Sequence, residues 1–216
     1  MIDRLAQEET RQVRLRLRAA RGGHGRALDE LDSYRRLVEK GGVSTPDLCV
    51  VAIDANCLRL SEALKEIEKH LTGPLEQQSV IACPDPHIER WFLADPVSFH
   101  EVVGSQPTLG RQKCGRDVYR SLLVKGIRDA GQIPTLGGIE FAQELVAAMD
   151  LYRAAKNDRS LALFVEDMRV GIFSIIRGRG TALRLPTGAT ARVRPYKLRR
   201  YARCSSEELI DAPIVS

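Results

Sequence analysis

Two short apolar runs constrain the fold of this chain most strongly. Residues 48–53 read LCVVAI and residues 79–83 read SVIAC. Continuous apolar runs of this length, rich in β-branched side chains, predict strands that are buried on both faces, with the first one central in its sheet. An amphipathic helical pattern over residues 60–71 separates them. The order strand, helix, strand predicts a right-handed crossover and a mainly parallel sheet.

The remaining patterns extend this α/β prediction in both directions. Residues 13–19, VRLRLRA, alternate apolar and basic side chains, which predicts a half-buried strand near a sheet edge. Apolar residues at helical spacing predict a helix over 27–38 and another over IERWFL at 88–93. After about residue 97 the strand signal fades, and helices are predicted over 97–103, 117–130, 139–149 and 161–176. The expected domain covers 1–176, with sheet-flanking helices and a helical C-terminal part.

A basic tail is expected over residues 177–216. Every charged residue from Arg177 to Arg203 is arginine or lysine. Apart from a short edge strand over 191–194, we expect this tail to pack poorly. Clustered arginine neutralises phosphate, so the tail could bind nucleic acid or an acidic partner, and a solvated extension is the equal alternative.

Composition excludes several classes of protein. The five cysteines are odd in number, widely spread and without a CxxC pair, which argues against a disulfide framework or a zinc site and for a reducing compartment. No apolar stretch approaches the roughly 20 residues that span a bilayer, and the N-terminus is charged. We therefore expect a cytoplasmic protein with no membrane partner. The net charge of +5 permits attraction to a polyanion.

Acidic residues follow both predicted strands. Asp54 and Asn56 come after the first strand, and Asp85 and Glu89 come after the second. In an open parallel sheet, ligands collect at the carboxyl ends of the strands, and carboxylate oxygens suit Mg²⁺. The alternative is structural: Asp54 and Asp85 as helix caps, with Pro86 at the first helical position, and Glu89 complementing a helix dipole.

Cations and a histidine lie near the same predicted loops. Gly22, Gly23 and Gly25 would allow a phosphate to approach the backbone, with Arg21, His24 and Arg26 beside it; a plain tight turn is as good a reading, and a nucleotide site is the weakest. Arg90 is a further candidate contact for nucleic acid. His87 is either a proton shuttle or an ordinary surface histidine.

Five segments together resemble a known family. They are ARGGHGRALDEL, VVAIDANC, IACPDPHIERWFLADP, KCGRDVYRSLL and the late GGIEFAQELVAAMDL with RSLALFVEDMR, within about 13–171. The chain resembles an uncharacterised bacterial family of Toprim-like domains related to the nuclease part of overcoming-lysogenization-defect systems. PDPHIERWFLAD is the most specific part.

The resemblance implies a Mg²⁺- or Mn²⁺-dependent nuclease that acts on DNA or RNA in anti-phage defence with an ATPase partner. Asp54 and Glu89 would be the metal ligands, assisted by Asn56 and Asp85. Two departures stand out: Asn56 replaces the second Asp of the family's Asp-x-Asp, and the family's first strand with its Glu is expected to be missing. An inactive Toprim-like subunit that docks on an ATPase is therefore the alternative.

Overall fold

A computed structural model describes residues 1–107, 109, 115 and 117–180, with side chains as far as residue 175. The helices and strands follow in chain order: α1 (Ile2–Glu8), α2 (His24–Glu39), β1 (Cys49–Ala52), α3 (Leu60–His70), β2 (Ser79–Ala82), α4 (Ile88–Leu93), α5 (Pro96–Val103), α6 (Val118–Asp129), α7 (Ala142–Ala148), α8 (Leu151–Asn157) and α9 (Arg159–Gly180). Short 3₁₀ turns at Gly73–Leu75 and Ile139–Phe141 precede β2 and α7.

The sheet is a parallel pair of strands joined by α3. Cys49 pairs with Ser79 at one end of β1 and Ala52 pairs with Ala82 at the other. The predicted strand, helix and strand are thus confirmed. The predicted central position of β1 is wrong within the described residues, because the sheet has two strands and Ala52 at the end of β1 is exposed. Only β2 is buried along its whole length.

Helices cover both faces of this small sheet. On one face α2 and α3 pack their apolar sides, including Leu31 and Ile67, against Val51 and Ile81. On the other face α1 and α9 pack around Val80. Gly171 allows α9 to approach closely, since a Cβ there would lie 3.1 Å from Leu48 Cδ1. The result is a helix, sheet, helix layering with the strand ends open.

Apart from the clusters on the two faces of the sheet, another apolar cluster joins α4 to α5, α6 and α7. Its fully buried side chains are Leu93, Phe99, Tyr119, Leu123, Ile127 and Leu145. The helices predicted after residue 97 all form, because their apolar stripes recur at helical spacing. The sequence patterns did not predict α8, whose seven residues are too few for a clear stripe. Since α4 also contributes Trp91 to the cluster around Val80, it links that cluster to this one.

The strand predicted over residues 13–19 is wrong. Residues 11–20 form neither helix nor strand, and residues 11–19 are exposed, with Leu17 at 90%. A strand requires a neighbouring strand whose backbone pairs with its own N–H and C=O groups, and an alternating side-chain pattern does not provide such a neighbour. Helix α9 continues to Gly180, and the rest of the predicted tail, including the strand over 191–194, lies outside the described residues.

Over the described part of the chain, none of the helices combines the length and apolar character that crossing a membrane requires.

Candidate functional site

The loops that follow β1 and β2 are hydrogen-bonded to each other. The Ile53 N–H donates to the carbonyl of Ala82 at 3.0 Å, and the Ala55 N–H donates to Pro84 at 2.8 Å. One step further, the Asn56 N–H donates to Pro86 at 3.0 Å. Parallel pairing thus continues past the strands, and it holds Asp54 beside the segment that leads into α4.

Asp54 and His87 meet at this edge of the sheet, and the charge of Glu89 lies close to them. Asp54 Oδ2 lies 3.5 Å from Nδ1 of His87, and the backbone N–H of Ile88 donates to the Asp54 carboxylate. Glu89 lies in the first turn of α4. The side chains of Asp54 and His87 remain 36% and 26% exposed, so solvent and solutes can reach both.

The electrostatics of Asp54 reflect these neighbours. Burial raises the pKa of Asp54 above its usual value, His87 and the Ile88 N–H act in the opposite direction, and the negative charge of Glu89 raises it further. Asp54 and Glu89 are therefore close enough to repel each other. A partly buried carboxylate held next to another carboxylate is typical of functional sites, although structural clusters also produce it.

Asn56 serves the turn rather than the cluster. Its backbone is left-handed, with φ of 52°, and its Nδ2 donates to the Asp54 carbonyl at 3.2 Å. Asparagine tolerates this conformation better than most residues, because its short amide bonds locally. The Asn56 side chain, which we expected to assist a metal site, thus uses its amide nitrogen to close the loop that carries Asp54.

The two capping alternatives are wrong. Helix α3 begins at Leu60 after Arg59, so Asp54 is not its cap. His87, not Asp85, is the residue before α4. The expectation for Glu89 is confirmed: it lies in the first turn of α4, where its negative charge complements the positive end of the helix dipole. Capping therefore does not explain why Asp54 lies at the strand end.

Asp85 is anchored through its backbone. Its N–H donates to Oγ of Ser160 at 3.1 Å, and its carbonyl accepts from Nη1 of Arg90 at 3.0 Å. The Ser160 hydroxyl also accepts from Nε1 of Trp91 at 2.8 Å and donates to the carboxylate of Asp158. This buried network ties the loop between β2 and α4 to the start of α9.

Arg90 completes the same network from the other side. Its Nε lies 3.0 Å from Oδ2 of Asp158, a residue only 2% exposed, and its guanidinium lies over the ring of Tyr119 at 5.6 Å. Arg90 was predicted to contact nucleic acid, but its guanidinium binds groups within the protein. Sequence reasoning missed Ser160 and Asp158, although Asp-x-Ser just before the apolar stripe of α9 is a helix-start signal.

The glycine-rich loop before α2 has a different environment. Nε2 of His24 lies 3.3 Å from the carboxylate of Glu66, while Arg21 and Arg26 are exposed. Glu66 is six residues past the start of α3, or about 9 Å along its axis. Gly22 has φ of 131°, which favours glycine, so the tight-turn interpretation fits this loop.

The described residues contain no group of three or more His, Cys, Asp or Glu side chains arranged to hold a metal ion. Comparison with known proteins found no matching family model, no matching curated protein and no matching solved structure. The candidate site therefore consists of Asp54, His87 and Glu89, which lie at the ends of the two strands.

Proposed function

We propose that this chain is a Toprim-like phosphodiesterase that uses Mg²⁺ or Mn²⁺ to cleave nucleic acid at the carboxyl end of its sheet. One observation supports the proposal. Backbone hydrogen bonds join the loops that follow β1 and β2, and they keep Asp54 where the charge of Glu89 raises its pKa. Maintaining two mutually repelling carboxylates in a half-buried site costs free energy, and a cation between them would remove that cost.

The donor set suits a hard divalent cation. Mg²⁺ takes oxygen ligands and commonly uses only one or two protein carboxylates, with water and phosphate completing the octahedron. Asp54 and Glu89 would hold it. A bound Mg²⁺ would offset the charge of the phosphodiester and lower the pKa of a water molecule.

His87 supplies the proton chemistry in this proposal. Because Nδ1 faces the Asp54 carboxylate, Nε2 lies on the opposite side of the imidazole ring. The carboxylate orients the ring, and Nε2 of this partly exposed side chain can give a proton to a leaving oxygen or take one from water. The imidazole therefore couples the loop after β1 to that after β2.

The network around Ser160 has a positioning role. It fixes the backbone of Asp85 and the side chain of Arg90, which flank His87 and Glu89 in sequence. Rigid support keeps catalytic groups in productive geometry. Neither Ser160 nor Asp158 touches the proposed substrate.

Metal titration and cleavage assays test the proposal together. We expect isothermal calorimetry to detect Mg²⁺ or Mn²⁺ binding by the full chain, and plasmid DNA or RNA to be cut only when metal is present. Asp54→Asn and Glu89→Gln should abolish both signals, and His87→Gln should reduce cleavage while metal binding persists. Asp29→Asn, an exposed change on α2, is the matched control. Cleavage that survives both Asp54→Asn and Glu89→Gln would refute the assignment.

A second candidate is a catalytically silent Toprim-like subunit that docks on an ATPase in anti-phage defence. Asn56 favours it, because the position of the family's second acidic ligand carries an amide that closes the turn. Co-purification with an ATPase, combined with no heat of metal binding, would favour this candidate over the nuclease.

A further inference from the structure

The longest stretch without an acidic residue near the N-terminus is also the most exposed part of the described chain. Residues 11–26, here called the arginine arm, contain six arginines and no Asp or Glu: Arg11, Arg14, Arg16, Arg18, Arg21 and Arg26. All six are exposed. The arm links α1 on one face of the sheet to α2 on the other.

The arm is not neutralised by its surroundings. Arg11, Arg14 and Arg16 form no ion pair with any carboxylate that the structure describes, whereas many arginines of the helices do, as Arg35 does with Glu39. Arg18 is held instead over the ring of Tyr34, 4.8 Å from its centroid. A concentrated positive charge is therefore left facing solvent, and five of its six arginines precede helix α2.

We infer that the arginine arm is a binding surface for the phosphate backbone of nucleic acid. Its cations are all arginine, and the first lysine of the chain is Lys40. The planar guanidinium presents paired donors that match phosphate oxygens, which an ammonium does not. Six such groups within sixteen residues concentrate a positive charge that would neutralise several phosphates of a nucleic-acid backbone.

A lipid surface fits the arm less well. The arm contains no aromatic residue, and its apolar side chains are only Val13, Leu15 and Leu17 besides alanine. Val13 and Leu15 are 39% and 43% exposed, so each is partly covered by the protein. Interfacial membrane segments present a broad apolar face, commonly with Trp or Phe.

The inference is separate from the proposed metal chemistry, so the experiment removes metal. Binding of the full chain to a short labelled duplex DNA of mixed sequence is measured by fluorescence anisotropy in EDTA, over roughly 50 to 200 mM salt. The triple variant Arg11→Gln, Arg14→Gln, Arg16→Gln should bind more weakly. Its slope of log K against log salt should fall by about 2.7 in magnitude, since each phosphate contact contributes about 0.9.

Two further variants make the result decisive. The control Lys40→Gln, Lys65→Gln, Lys69→Gln removes the same charge from exposed positions on and beside α2 and α3, and it should keep the slope. The triple variant Arg11→Lys, Arg14→Lys, Arg16→Lys should keep most of the wild-type slope. Equal losses in the arm variant and the control, or an unchanged slope in the arm variant, would overturn the inference. Binding to phosphatidylglycerol vesicles without binding to DNA would also overturn it.

Discussion

Two aspartates at the ends of secondary-structure elements behave in opposite ways. Asp54 follows β1, its side chain is 36% exposed, and its pKa is raised. Asp95 follows α4, is 1% exposed, and has a lowered pKa. Burial alone predicts the reverse order, because burial penalises the charged form and Asp95 is the more buried.

Their partners explain the difference. Asp95 accepts two hydrogen bonds from Arg153, one to each oxygen at 3.1 Å, and others from Ser98 at 2.7 Å and the Asp150 N–H at 2.8 Å. Burial would raise the pKa of Asp95, but these donors lower it overall. Asp54 has a histidine and a repelling carboxylate instead. The comparison teaches that Asp95 stabilises the fold, whereas Asp54 is held at a cost.

The largest expected effect comes from breaking the Asp95 cluster. Asp95→Asn should lower the free energy of unfolding by about 3 kcal/mol at neutral pH, because it leaves buried donors without their charge partner. The pKa of Asp95 is lowered in the folded state. Its contribution to stability is therefore fully present above pH 3.8, the ordinary pKa of the group, and is lost as the pH falls through the folded pKa. Urea denaturation should therefore show the difference from wild type shrinking in acid.

Asp129→Asn is the control for that experiment. Asp129 is 54% exposed and pairs only with Lys125 among the described residues, at 3.6 Å, so its loss should change stability by less than about 0.5 kcal/mol. Equal effects of the two variants would contradict the stabilising role of Asp95.

Removing the Ser160 hydroxyl should have the next largest effect. Ser160→Ala leaves the Trp91 ring nitrogen and the Asp85 N–H without their acceptor, which should cost about 2 kcal/mol. Trp91 is the single tryptophan, so its fluorescence reports the change directly. Ser174→Ala removes an exposed hydroxyl that bonds only Val170 in the described structure, and it should be nearly neutral. A silent Ser160→Ala would show that the network does not hold the loop.

Asp54→Asn should raise stability slightly at neutral pH. The folded pKa of Asp54 is raised, so its protonated form favours the fold, and that contribution is lost as the pH rises through the folded pKa. The uncharged amide of the variant avoids the loss, and with solvent screening we expect a rise in Tm of about 1–2 °C. The gain in Tm should vanish below pH 3.8, the ordinary pKa of the group, and calorimetric scans at several pH values would measure it. A lower Tm at neutral pH would mean that the Asp54 charge stabilises the fold.

Glu89→Gln should produce the smallest effect, which is a change in the pKa of one neighbouring group, Asp54. Removing the neighbouring charge should lower the pKa of Asp54, because Glu89 raises it. An NMR titration of the Asp54 carboxyl would measure the shift. Glu62→Gln, which removes a carboxylate from the first turn of α3, is the control and should leave the Asp54 pKa where it is. If the Asp54 pKa does not change in Glu89→Gln, the two carboxylates do not interact, and the basis for a shared cation is removed.

Local patterns predicted both strands and most of the described helices, and they drew attention to the acidic residues that follow the strands. The strands, the crossover helix α3 and the helices that follow residue 97 come from apolar spacing within each segment. Asp54 and Glu89 were selected because they follow buried strands. Residues 11–20 were wrongly predicted as a strand, because the pattern describes side chains and pairing depends on a neighbour that the pattern does not contain.

The sequence by itself determined that two parallel strands end next to acidic residues, because the period of buried side chains is a local property. Only the tertiary structure decided which carboxylates are satisfied. The Asp95 carboxylate accepts from Arg153, which is 58 residues away, and the Asp158 carboxylate pairs with Arg90 of a distant helix. The packing of distant helices brings such partners together, whereas the neighbour of Asp54 is a second carboxylate, Glu89. Spacing along the chain does not show which carboxylate will have a cationic partner.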